Sequence, residues 1–474
     1  MSEVVAFDVV VIGSGPAGQK AAIQAAKTGR TVLLVERERG PGGACVHHGT
    51  IPSKTLRETA LHLQRVRRLG VGLPEIVIPE HQQVAGLMGR LADVVGAHER
   101  FIAAQLERNG VVLWHGRARF VDAHHLEVLG VRGARRVARG ERIVIATGSR
   151  PRTPKEVPVD HEHVLDSDSI LSMIYLPSSL TVLGAGVIAS EYASIFAALG
   201  VAVTLIDKAD RPLGFLDPEC SERFVRAFEA NPGCRFMGRA KLLRVAWDGA
   251  AQVVTELEGG GCVRSDKLLC ALGRVANLED LQIGNAGLKA TDRGVLAVDA
   301  QLRTAVPHIF AAGDVIGPPS LASASMEQGR RAMRAAFDLP LGMTSDLVPA
   351  GIYTIPEMAT VGLSEAQARE QHGEVRVGRA RFEEIARGQI LGETEGFLKL
   401  VADAGGRLLG AQIVGEGATE LIHLAQMALV HGDTVDAFVE NIFNFPTLAE
   451  AYRVAALEIQ RATQSNLDGR VTRA

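Results

Sequence analysis

The chain has 474 residues, enough for about three domains at ~150 residues each. Apolar residues make up 47% and charged residues 22%, which excludes disorder as a description of the whole chain. Aromatics are only 4%, and 51 Lys and Arg against 54 Asp and Glu leave a net charge of -3. That balance offers neither nucleic acid nor an anionic membrane a partner.

The N-terminal stretch MSEVVAFDVVVIG lacks a cationic flank before its apolar run. It reads as a strand, not a signal peptide. No apolar run approaches the ~20 residues that span a bilayer. Five cysteines, Cys45, Cys220, Cys234, Cys262 and Cys270, form no CxxC. The odd count argues against a disulfide framework or a zinc site and for a reducing compartment, so the cytoplasm is the expected location.

In chain order, Asp8–Ile12 reads as a buried strand and is followed by Gly13-Ser14-Gly15-Pro16-Ala17-Gly18, a helical run, a strand over Thr31–Val35 and Glu36. The same unit recurs from Leu180–Leu183. There it continues with Gly184-Ala185-Gly186-Val187-Ile188-Ala189, a helix, a strand over Ala202–Ile206 and Asp207. Glu36 stands 23 residues after Gly13, and Asp207 stands 23 after Gly184. The first glycine of each unit makes the strand-to-helix turn, and the second lets backbone approach a pyrophosphate. The third position, Gly18 or Ala189, must be small so that helix and strand pack closely. The helix N-terminus favours phosphate, and the closing acid suits a ribose hydroxyl. Two dinucleotide sites follow. Asp207 favours NAD over NADP, whereas Lys208 and Arg211 beside it are candidate partners for a 2′-phosphate.

Between and after these units, Arg142–Ser149 ends at Thr147-Gly148, and Thr304–Val315 ends at Gly313-Asp314. Alone, both read as strand ends with small-residue turns. Pro151, Pro154 and Pro158 mark a crossover, and Ala271-Leu272-Gly273-Arg274 marks a return. From about residue 347, strands at Phe397–Val401 and Arg407–Val414 precede a helix at Thr419–His431, an α+β pattern.

Gly42-Gly43-Ala44-Cys45-Val46-His47-His48-Gly49-Thr50-Ile51-Pro52-Ser53-Lys54 resembles the redox-active segment of the flavoprotein disulfide reductases. Those enzymes carry C-x4-C before PSK or PTK; here the second cysteine is Thr50, which cannot close a disulfide. Near the C-terminus, Asn444 stands where that superfamily has its acid–base histidine, with Glu450 retained. An amide is no general base near neutral pH. Loss of both thiol-chemistry groups with both dinucleotide units kept resembles the soluble (Si-specific) pyridine nucleotide transhydrogenases. Asn444-Phe445-Pro446-Thr447, Gly313-Asp314-Val315-Ile316-Gly317 and Ser320–Gly329 fit that family too.

The resemblance implies an α/β fold with two Rossmann-like dinucleotide-binding domains and a C-terminal α+β dimerisation domain. Its expected limits are 1–150 and 278–346 for a split FAD domain, 151–277 for the NAD(P) domain and 347–474 for the interface domain of a homodimer. FAD would meet Gly13, Gly15, Gly18, Glu36, Gly42, Gly43, Cys45, Lys54, Thr147, Gly148, Gly313, Asp314 and Ala322. The nucleotide would meet Gly184, Gly186, Ala189, Glu191, Asp207, Lys208 and Gly273. Thr50, Lys54, Glu191, Asn444 and Glu450 are the expected catalytic set, with Lys54 paired to Glu191 and Asn444 and Glu450 placed beside the partner's flavin. The implied reaction moves hydride between NADPH and NAD⁺ through FAD. A quinone or dye reductase and a non-turnover flavin redox sensor are alternatives on the same scaffold.

Cys45, without its partner, reads as a spectator. His47 and His48 lack companions, so no metal site is assigned. Arg57, Arg65, Arg67 and Arg68 read as a solvated helix face. The polar tail from about Thr463 reads as disordered.

Overall fold

A computed structural model describes residues 4–68, 80–131, 133–342, 347–393 and 395–471. The first sheet has the order Val112–His115, Val32–Glu36, Val4–Ile12, Arg135–Ile145, His125–Leu129 and Arg117–Phe120. Val4–Ile12 pairs parallel to both its neighbours, and the late strand Ile309–Ala311 joins it alongside Arg135–Ile145. Val9, Val11 and Leu34 bury on one face; Val10, Ile12 and Leu33 bury on the other. Burial on both faces is why Val9–Ile12 is continuously apolar instead of alternating. Helix Pro16–Ala26 crosses to Val32–Glu36, and helix Ala322–Ala336 packs against it.

The second sheet is parallel throughout, in the order Arg235–Met237, Ala202–Ile206, Ser179–Leu183, Lys267–Cys270 and Val164–Asp166. Helix Val187–Leu199 covers it and packs on helix Thr50–Arg68, bringing the two glycine loops together. An antiparallel sheet of Leu242–Trp247, Val253–Leu257 and Cys262–Ser265 flanks it. A short ladder between Ser149–Pro151 and Arg274–Ala276 joins the crossover to the return.

The C-terminal sheet is antiparallel, in the order Ala350–Ile352, Met358–Gly362, Leu408–Val414, Phe397–Asp403 and Val375–Arg381. Helices Ala418–His431 and Glu450–Val471 pack on it. The tail from about Thr463, expected to be disordered, has its side chains outside the described residues. Among the described residues, no helix is long and apolar enough to cross a membrane.

Candidate functional site

Both first glycines occupy the left-handed region, Gly13 at φ 97° and Gly184 at φ 99°. A Cβ there would stand 2.4 Å from the Ala146 carbonyl oxygen in one unit and 2.6 Å from that of Ala271 in the other. The turn and the close approach both require glycine. The second glycines, Gly15 and Gly186, cap helices Pro16–Ala26 and Val187–Leu199, and a Cβ on either would meet nothing within 4 Å. Bare backbone at a helix N-terminus, open on one side, fits a pyrophosphate. Gly18 is packed tight, its hypothetical Cβ 1.8 Å from the Gly13 oxygen, and Ala189 is fully buried. Neither lines the cleft; both set the helix against the strand.

The two loops open into one cleft of about 1570 Å³. Single drug-sized ligands occupy ~300–1000 Å³, so this volume suits one dinucleotide with a second nucleotide beside it. Gly13, Gly15, Glu36, Gly43, Cys45, Thr50, Lys54, Thr147, Gly148, Gly313, Asp314 and Ala322 line it from the first unit. Gly184, Gly186, Glu191, Asp207, Lys208 and Gly273 line it from the second. Gly42 stands behind this wall, its N–H donating to Ser14 Oγ at 3.0 Å.

The two closing acids have a task that the sequence pattern does not display. Glu36 Oε2 accepts from the Ser14 amide at 2.9 Å and the Ser14 hydroxyl at 2.5 Å, while Oε1 accepts from the Glu38 amide. Asp207 repeats this with the Ala185 amide on Oδ2 and the Ala209 amide on Oδ1, each at 2.7 Å. Each acid thus pins its glycine loop to the end of the second strand. Lys208 is exposed at the cleft. Arg211 does not line the cleft: its guanidinium donates to the Leu216 and Gly214 carbonyls and to Ser221 Oγ, which holds the following turn.

Where the loops meet, Lys54 Nζ lies 2.8 Å from Glu191 Oε2. Glu191 is only 4% exposed, and its other oxygen accepts from the Tyr353 amide at 2.9 Å. The ammonium also stands 4.7 Å from the centre of the Tyr353 ring, a cation–π contact. Three segments far apart in sequence therefore fix one charge. Tyr353 was missed by sequence reading, because nothing local to it marks a partner 162 residues away.

Beside this pair, Thr50 and Cys45 both line the cleft. Burial pushes the Cys45 thiol up, and the hydroxyl of Thr50 and the charge of Lys54 only partly oppose that. The group stays a thiol near neutral pH, which is a poor nucleophile. All five cysteines are free thiols. His47 Nδ1 faces Glu99 Oε1 at 3.3 Å.

Further residues complete the floor. Asp314 Oδ2 accepts from Ser149 Oγ at 2.6 Å, and Arg274 Nε donates to the same Oγ at 2.8 Å. Thr147 and Asn277 exchange hydrogen bonds of 2.8 and 3.0 Å. Asp168 has its carboxyl raised by burial, with His48 and Arg274 opposing. Ser149, Asn277 and Asp168 escaped the sequence reading, since isolated polar residues carry no spacing signal.

Asn444 and Glu450 do not join this site within one chain. Asn444 is exposed, its carbonyl accepting from Thr447 Oγ1 at 2.7 Å, and neither residue lines the cleft. Around them, Ile442 is 94% and Phe445 75% exposed, and Met427 and Leu457 on the flanking helices are exposed too. The arginines after Lys54 also need correction. Arg57 is 4% exposed and pairs with buried Glu357 at 3.0 Å, which ties helix Thr50–Arg68 to the C-terminal unit. Arg65 is exposed but pairs with Glu416 at 2.7 Å. The side chains of Arg67 and Arg68 lie outside the described residues.

Comparison with known proteins follows the same division. Residues 7–329 match the family model described as pyridine nucleotide-disulphide oxidoreductase, and residues 348–456 match that family's dimerisation domain. The chain is 43% identical over 456 residues to a protein named soluble pyridine nucleotide transhydrogenase from Mycobacterium bovis, covering 96% of this chain and 97% of that protein. It is 41% identical to one of the same name from Hahella chejuensis, covering 95% and 97%. Among solved structures, LpdA from Mycobacterium tuberculosis aligns with a TM-score of 0.87 at 27% identity, covering 96% of this chain and 99% of that one. The HOCl-induced flavoprotein disulfide reductase RclA from Escherichia coli aligns at 0.85 and 27%, covering 95% and 99%. Paired glycine loops on one cleft, a matching C-terminal sheet and end-to-end similarity agree: the chain belongs to the pyridine nucleotide-disulphide oxidoreductase family.

Proposed function

We propose that this chain is an FAD-dependent transhydrogenase that moves hydride between NADPH and NAD⁺ without a redox-active disulfide. One observation carries the reading. Thr50, not a second thiol, lines with Cys45 the cleft that both glycine loops share. The relatives named soluble pyridine nucleotide transhydrogenase support the same activity.

FAD, when bound, supplies the two-electron acceptor and donor. The Gly13 loop and helix Pro16–Ala26 would hold its pyrophosphate, with Glu36, Thr147 and Asp314 along the same wall. The Gly184 loop and helix Val187–Leu199 would hold the nicotinamide nucleotide. Lys54, fixed by Glu191 and Tyr353, keeps a positive charge where the loops meet. A preorganised cation there favours negative charge arriving in the cleft. Thr50 keeps Cys45 from pairing with a thiol, so electrons have no disulfide to enter.

The division at 1–150, 151–277, 278–346 and 347–474 is supported by strand Ile309–Ala311, which returns to the first sheet. A homodimer is supported by the dimerisation-domain match and by the exposed apolar side chains around Ile442 and Phe445. A second copy would bring Asn444 and Glu450 to its partner's cleft. Five free thiols agree with a cytoplasmic location.

The test is stopped-flow mixing of oxidised holoenzyme with NADPH, followed by NAD⁺. Bleaching of flavin absorbance by the first and its recovery with NADH formation by the second is the expected result. Reduction by NADPH with recovery only on adding a quinone, or steady turnover of lipoamide or glutathione disulfide, would sink the reading.

A further inference from the structure

A charge pair at the far end of the nucleotide unit has no part in the chemistry above. Lys241 and Glu258 both line the cleft, on the side of Asp207 and Lys208. The Ala240 amide donates to the Asp207 carbonyl at 3.0 Å, which holds the turn before Leu242–Trp247 against the acid that ends Ala202–Ile206. The Glu258 amide donates to the Lys241 carbonyl at 2.8 Å, so the two side chains leave adjoining backbone. Their charged ends meet at 3.4 Å, with 69% and 57% of the side chains exposed. Three lysines line the cleft, and Lys54 is committed to Glu191, which leaves Lys208 and Lys241 beside Asp207.

We propose that Lys241 is a specificity-determining residue of this site: it exchanges Glu258 for the 2′-phosphate of an NADP-type nucleotide and keeps Glu258 when an NAD-type nucleotide is bound. The proposal rests on reading the Gly184 loop as the nicotinamide-nucleotide site and deepens it, because one site must accept both ligands. The physical case has two parts. An exposed lysine–carboxylate pair is weak and screened, so it exchanges at small cost, and Glu258 is released into water. A phosphate monoester carries nearly two negative charges at neutral pH and is the stronger partner for an ammonium. Asp207 does not veto the phosphate, since amides of Ala185 and Ala209 already offset its charge. Its fixed carboxylate still faces a ribose that lacks the phosphate.

The experiment is calorimetric titration of oxidised holoenzyme with 2′,5′-ADP and with 5′-AMP, two probes that differ only in the 2′-phosphate. Lys241→Ala should shift the ratio of their dissociation constants about tenfold against 2′,5′-ADP, equivalent to about 1.4 kcal/mol. Glu258→Gln should shift it several-fold the other way, and Lys241→Arg should restore most of the wild-type ratio. Both side chains are more than half exposed, so the variants keep the fold. A ratio unmoved by Lys241→Ala, or a wild-type enzyme that does not bind 2′,5′-ADP, overturns the proposal. If the ratio moves as stated while the enzyme passes no hydride between nucleotides, the transhydrogenase reading falls and the assignment of Lys241 stands.

Discussion

Thr50 and Cys45 show how one side chain redirects a cleft. Thr50 lines the cleft with Cys45 and acts on its thiol, so a sulfur placed at residue 50 is the natural partner for a disulfide. Thr50→Cys should therefore form one under oxidising conditions. A reductive dithionite titration of that variant should consume twice as many electrons per flavin as the wild type, and unchanged uptake would show that the two positions cannot pair. Lys54 is the second residue whose role is testable alone. Lys54→Ala leaves Glu191, 4% exposed, with only the Tyr353 amide. The cost should be about 2 kcal/mol, below the ~3–5 expected for a wholly desolvated pair because the lysine is 24% exposed. Stopped-flow reduction by NADPH should slow more than nucleotide binding weakens. A wild-type reduction rate with an unchanged denaturation midpoint would make Lys54 a bystander. The Lys54–Glu191 pair was expected from the family resemblance, which places both motifs at the flavin. Tyr353 was not, because its contribution is a backbone amide and a ring face, and neither has a spacing.

Elements meet through charges that sequence reading places in water. Arg57 looks like one of four exposed arginines until helix Thr50–Arg68 docks and Glu357 arrives from the C-terminal unit. Lys399, on strand Phe397–Asp403, is 3% exposed and meets Asp217 at 3.0 Å, Glu219 at 3.4 Å and Glu365 at 2.8 Å. Asp217 caps helix Pro218–Glu229 in the nucleotide unit, and Glu365 opens helix Glu365–His372 in the C-terminal one. The cluster thus fastens one unit to the other, from residues whose separation in sequence hides the contact. Burial acts to raise the Glu365 carboxyl, but hydrogen bonds from Lys399 and Arg369 overcome it and hold it down to about 2. A carboxyl lowered by folding adds stability that is complete above its unfolded value of 4.5 and is lost as pH falls toward 2. Urea midpoints measured across that acid range should fall less steeply for Glu365→Gln than for the wild type. Parallel curves would show that the cluster does not couple protonation to folding. The strands themselves were legible, Ala202–Ile206 to the residue, because a short run dominated by buried Val203, Leu205 and Ile206 lies between turn residues.

At the scale of the whole molecule, two glycine loops face a single cleft, and FAD must take one of them. On the proposed assignment, the Gly184–Asp207 unit is the one left for nicotinamide nucleotides. NADPH and NAD⁺ must take turns in it, with the electrons held on the enzyme between visits. That order demands ping-pong kinetics. It also demands inhibition by either nucleotide at high concentration, because each can occupy the site in the redox state that awaits the other. Weak discrimination at the ribose, through Lys241 and Glu258, suits this shared use: a site selective for one nucleotide would trap the enzyme in one half of the cycle. Double-reciprocal plots at several fixed concentrations of the second nucleotide should therefore be parallel at low concentration and bend upward at high concentration. Converging lines, or equilibrium dialysis that finds two nicotinamide nucleotides bound per flavin, would reveal a second site and rule out alternation through one.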